Sequence, residues 1–150
     1  MTYEALQKLS KQNFTLRFNS NISEIPEIKD KVFLNKNYSY IKWKQSEISL
    51  FSRYLELSGG KTITSDVGYA AFENSGDSIE VYEFCAEAEN INKLMCVFNG
   101  YTHIKEYNFN LPVNYPIISD SQKFISVGMI KPLTDINIGD TDVYIGITLN

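Results

Sequence analysis

The chain has 150 residues, a formal net charge of −4 and a pI near 5.0; 43% of its residues are hydrophobic, 21% charged and 13% aromatic. That length suits one domain, 1–150, able to bury roughly 70% of the surface its unfolded form exposes. The acidic balance argues against nucleic-acid binding, which draws affinity from cations neutralising phosphates, the aromatic content argues against disorder, and no 18-residue apolar run suggests a membrane-spanning helix.

In chain order, residues 3–12 predict a short helix with Ala5, Leu6 and Leu9 on one side. No apolar run follows a basic start there, so no secretory leader is expected and a cytoplasmic location is, with a virion or cell surface as the alternative. In residues 13–18, Phe14, Leu16 and Phe18 alternate with Thr15 and Arg17, the period of a strand. Pro26 interrupts residues 22–30 and argues against a long helix. Residues 31–35 and 38–44 read as strands separated by Asn35, Lys36 and Asn37. Residues 46–57 fit two elements. Ile48, Phe51 and Leu55 suit a helix with Ser46 as its N-cap and Gly59 past its end; Ile48, Leu50 and Tyr54 suit a strand.

Gly60-Lys61-Thr62 matches the last three residues of a phosphate-binding loop. The first glycine of that loop falls on Leu55, whose Cβ obstructs the curl, and the β-branched segment 62–72 stands where a helix is required. Gly59-Gly60 therefore reads as a chain reversal, not a nucleotide site.

From Asp77 onward β-branched and aromatic residues dominate. Residues 78–84, 93–98, 101–110, 123–130 and 142–149 read as strands punctuated by Gly, Pro, Asn and Asp. The expected fold is mainly β, an antiparallel sandwich or barrel with one or two short helices; α+β is the alternative. A hairpin reading of 79–98 sets Cys85 opposite Cys96, and a two-residue turn at Asn99-Gly100 then sets Cys96 opposite His103. Ile91, Leu94, Met95 and Phe98 also fit one helix face. No Cys-x-x-Cys spacing and no fourth ligand supports zinc, and two cysteines in such a chain are usually inert buried thiols. No metal and no cofactor are expected.

The remaining signal is aromatic. Tyr38, Tyr40, Lys42 and Lys44 fall on one face of a predicted strand; Tyr101, His103, Lys105, Tyr107 and Phe109 fall on one face of another. Lysine is rarely buried, so such faces are expected to point outward, where tyrosine offers contact area at low entropic cost. The binding residues expected on this ground are Tyr38, Tyr40, Lys42, Tyr101, His103, Lys105 and Tyr107. The function expected is a non-catalytic protein-binding domain, a small acidic inhibitor or immunity-type protein that neutralises a basic partner. It binds no nucleic acid and no membrane, and homo-oligomerisation is compatible with it. A virion or surface β-domain that binds carbohydrate or assembles as a structural subunit is the alternative, and a small enzyme using His103 with Cys96 is the third.

Overall fold

The computed structural model describes residues 16–34, 39–40, 42–111, 115 and 143–144. The helix expected at 3–12, the strand at 123–130 and most of the strand at 142–149 lie outside these residues.

A 3-10 turn, Ile22–Glu24, leads into helix α1, Ile25–Leu34. Pro26 does not break α1, because it sits in the first turn, where amides have no acceptor within the helix. Over 31–34 the strand expected at 31–35 is thus the last turn of a helix; Asn35 lies outside the described residues. Of the described residues in the strand expected at 38–44, Ser39–Tyr40 (β1) pairs, in parallel with Val143–Tyr144 (β6), and 42–44 are not strand; residues 38 and 41 lie outside the described residues. Helix α2 spans Gln45–Leu57, so the helical alternative at 46–57 holds. Its N-cap is Lys44 rather than Ser46, and the Glu47 carboxylate accepts the Lys44 N–H at 2.6 Å. Gly59 follows with φ +89°, the left-handed turn that glycine adopts without strain. Gly60 has Leu55 and the Phe72 carbonyl so close that a Cβ would lie 2.5 Å and 2.8 Å from them. These contacts explain the glycine pair without a phosphate.

The central sheet has the order β2-β3-β4-β5. Strands β2 (Lys61–Ser65), β3 (Gly68–Ser75) and β4 (Ser78–Ala86) form an antiparallel meander. Asn19 extends it by bridging to Thr64. Strand β5 (Glu106–Phe109) runs parallel to β4. A parallel neighbour cannot be reached by a hairpin; the chain must cross back over the sheet, which takes about a dozen or more residues. Residues 88–98 make that crossing as a 3-10 turn (Ala88–Asn90), helix α3 (Ile91–Leu94) and a second 3-10 segment (Met95–Phe98). The hairpin expected over 79–98 is therefore corrected. Cys85 lies in β4 and Cys96 in the crossover.

The β3–β4 ladder slips between Ala71 and Phe72, which pair with Glu83 and Val81 and leave Tyr82 as the extra residue. This bulge reverses which residues of β4 face which side. One face carries Ala70, Phe72, Ile79, Val81 and Phe84, with Tyr107 and Phe109 of β5. Phe98 of the crossover seats there, its ring 5.1 Å from Phe72, 5.3 Å from Tyr107 and 5.9 Å from Phe109. The other face carries Tyr69, Ala71, Glu83 and Cys85. There Lys29 of α1 meets Glu83, while Phe51 and Leu55 of α2 pack on Ala71. Ser52 of α2 donates to Thr62 of β2 at 3.1 Å, which satisfies two buried hydroxyls. Among the described residues, helices rather than a second large sheet cover the four strands. The described residues form a mixed four-stranded sheet with short helices, an architecture that fits mainly β or α+β; a second packed sheet is not among them.

Candidate interaction site

Of the residues expected to form tyrosine–lysine faces, Tyr40 and Lys42 meet on one carboxylate, that of Asp30, while Tyr101, His103, Lys105 and Tyr107 do not share a face. Tyr38 lies outside the described residues. Tyr40 is half-buried, its ring tilted 5.2 Å from Phe33 and its hydroxyl donated to Asp30. Lys42 and Lys44 are exposed, as expected, and Lys42 pairs with the other Asp30 oxygen at 2.5 Å. Residues 101–105 are turn and loop, not strand, so alternation does not apply to them. Tyr101 turns inward, edge-on to Phe72 at 5.7 Å, with the Lys61 ammonium 5.9 Å from its ring centroid. His103 and Lys105 are exposed, and Lys105 pairs with Asp77 at 2.5 Å. Tyr107 is wholly buried beneath Phe98 and donates to the Tyr101 carbonyl at 3.2 Å; it offers nothing to a partner. The expected outward face at 101–109 is therefore withdrawn.

Neither cysteine forms a disulfide. Cys85 is fully buried, and desolvation, with Glu83 adding to it, pushes its thiol well above the ordinary value. A thiol so placed is a poor nucleophile. The Cys96 thiol donates to the Asn92 carbonyl one helical turn back. Among the described residues no group of three or more His, Cys, Asp and Glu side chains could hold a metal ion.

Two charged constellations escaped the sequence reading. Lys29, 3% exposed, pairs at 2.5 Å with Glu83, 2% exposed, and the second Glu83 oxygen accepts the Tyr69 hydroxyl at 2.5 Å. The network joins α1 to β3 and β4 with both carboxylate oxygens occupied, which is what a buried charge requires. Nothing in it is open to a substrate. Beside it, hydrogen bonds from Lys42 and then Tyr40 hold the Asp30 carboxyl below the usual carboxylate range. Tyr40 is raised in turn, first by desolvation and then by Asp30.

Asp30 has a testable consequence. A carboxyl depressed in the folded state adds stability that is present above its unfolded value, near pH 4, and is lost as pH falls through the lower folded value. Unfolding titrations between pH 5 and 2 should show stability declining, and Asp30→Asn should shallow that decline. An unchanged slope in the variant would show that Asp30 does not contribute.

A half-open cleft of about 230 Å³ lies between α1 and the β2–β3 turn, rimmed by Glu24, Glu27, Asp66 and Glu87. Lys31 pairs with Glu87 at 3.4 Å on its edge. Neither histidine nor cysteine lines it.

The feature that stands out is the outer side of α2. Its inner stripe, Ile48, Phe51, Ser52 and Leu55, is buried. On the opposite side Leu50, Tyr54 and Leu57 follow one another at i, i+4 and i+7, and they are 65%, 55% and 82% exposed. A surface helix ordinarily has one apolar stripe, facing the core, and polar residues opposite. This helix has two. The outer stripe is visible in the sequence once 46–57 is read as a helix; the strand alternative had put Leu50 and Tyr54 on the buried side with Ile48. From α2 the surface continues to Tyr82 of β4, whose ring meets Phe51 edge-on at 6.1 Å and whose hydroxyl donates to Glu73 at 3.0 Å. Desolvation, and then Glu73, push the Tyr82 phenol up to about 12. No known protein family, curated protein or solved structure matches this chain at a significant level.

Proposed function

We propose that this chain is a non-catalytic protein-binding domain that docks its partner on the outer face of α2, and that it acts as a small acidic inhibitor of that partner. The observation that carries the reading is the exposed row Leu50, Tyr54 and Leu57 on a helix whose other apolar stripe already fills the core. Single exposed apolar residues are normal; three aligned on one helix face match the way amphipathic helices anchor in a partner's groove. Fully covering such a side chain is worth roughly 1.5–3 kcal/mol, enough for each to matter to affinity. The net charge of −4 suits fast association with a basic partner. No helix among the described residues is long and apolar enough to cross a membrane.

The test is a photoreactive phenylalanine analogue at position 54, with Asn99, exposed beyond the crossover, as the control position. Light should give one discrete adduct from 54 and none from 99, and Leu50→Ser with Leu57→Ser should abolish it. The same adduct from both positions, or one indifferent to the serine pair, would remove α2 as the docking element.

A further inference from the structure

Among the described residues, helices cover only half of the sheet face beneath α1 and α2. Toward the β3–β4 turn it carries Glu73 of β3, Glu80 and Tyr82 of β4 and Asn108 of β5, and these range from half-buried to exposed. Glu73 and Glu80 are direct cross-strand partners. Side chains so placed have Cβ atoms about 4.5–5.5 Å apart, and like charges there are destabilising. A fold would normally place a cation across from one of them. Here both carboxylates are held by neutral donors. Tyr82 donates to Glu73 at 3.0 Å; Asn108 and Ser78 donate to Glu80 at 2.7 Å and 3.3 Å. Neither has an ion pair among the described residues, although Lys105, Lys42 and Lys29 are each matched to an acid elsewhere. Tyr82, which holds Glu73, packs edge-on against Phe51 of α2 at 6.1 Å, so the acidic pair lies next to the helix that carries the apolar stripe.

We infer that this open sheet face is the polar half of the docking surface, and that Glu73 and Glu80 together receive an arginine or lysine side chain of the protein partner while α2 takes its apolar anchor. The inference rests on the docking reading of α2. A guanidinium reaching this face would meet a carboxylate on each of two adjacent strands, with the Tyr82 ring beside them. Local conflicts that the folded chain leaves uncompensated are expected at functional sites. The same charge argues against a second copy of this chain as the occupant, since two acidic faces repel.

The test uses a synthetic amphipathic peptide of leucine and arginine, a version with each arginine replaced by neutral citrulline, and ¹⁵N-labelled protein. The arginine peptide should shift amides in 50–57, in 73–82 and at 108, and should bind about tenfold or more tightly than the citrulline peptide, the gap closing at high salt. Glu73→Gln with Glu80→Gln should erase that gap and flatten the salt dependence. The variant should be no less thermostable than the parent, since a repulsion is removed. Equal binding of the two peptides, both weakened by Leu50→Ser with Leu57→Ser, would overturn the cation site and leave docking on α2 standing. Loss through the glutamine pair with indifference to the serine pair would do the reverse. Shifts confined to the Glu24–Glu87 cleft, no binding by either peptide, or concentration-dependent shifts without peptide would overturn the inference.

Discussion

Glu83→Ala is expected to lower the unfolding free energy by about 3–5 kcal/mol, the usual penalty for leaving one buried charge without its partner. Lys29, 3% exposed, would then face an apolar hole, and the Tyr69 hydroxyl would lose its acceptor as well. Lys29→Ala should cost as much from the other side. Replacing both together, Lys29→Met with Glu83→Leu, should cost far less than the sum, because desolvating two charges consumes most of what their attraction returns, with the loss of the Glu83 acceptor for Tyr69 as the remaining penalty. The pair thus fixes where α1 sits on β4 more than it adds net stability. A double-mutant cycle from denaturant titrations checks this, and additive losses in the double variant would contradict it.

Phe98→Ala is expected to lose about 3–5 kcal/mol by chemical denaturation. Phe98 has no exposed surface and touches rings from three strands, Phe72, Phe84, and Tyr107 with Phe109. It holds the crossover against the sheet and gives β5 its packing, since among the described residues β5 lies beside β4 alone in the sheet order. Phe98→Leu keeps most of the volume and should lose under about 1.5 kcal/mol beyond its aromatic contacts. Hydrogen exchange in the alanine variant should accelerate at 106–109 before it does at 61–72. Uniform acceleration across the sheet would show that β5 does not depend on Phe98.

The β character of 62–72 and 78–84 was legible in the sequence from β-branched and aromatic residues, but the turn that splits the first stretch into β2 and β3 was not. Nor was the crossover. Residues 93–98 combine a strand-like composition with a helix-compatible spacing, and what decides between them is the parallel direction of β5, a tertiary fact. Pro26 misled in the opposite direction. Read as a breaker, it hid α1, whose inner stripe Ile25, Lys29, Val32 and Phe33 follows helical spacing with a lysine among apolar residues. That lysine was the one local trace of the ion network. Its partner Glu83 was masked by the bulge at Tyr82, which no alternation pattern anticipates. The tyrosine–lysine faces failed for a related reason: periodicity carries meaning only inside an element, and 101–105 is loop. The outer stripe of α2 lay within reach of the sequence but depended on choosing helix over strand at 46–57.

The central claim, that α2 and the sheet beside it form the docking surface, is tested most directly by hydrogen exchange on the complex with whatever partner the position-54 adduct identifies. The account predicts slowed exchange over 50–57 and 73–82, with 91–98 unchanged. Slowing confined to α1 and residues 66–67, or exchange identical to that of the isolated chain, would contradict it.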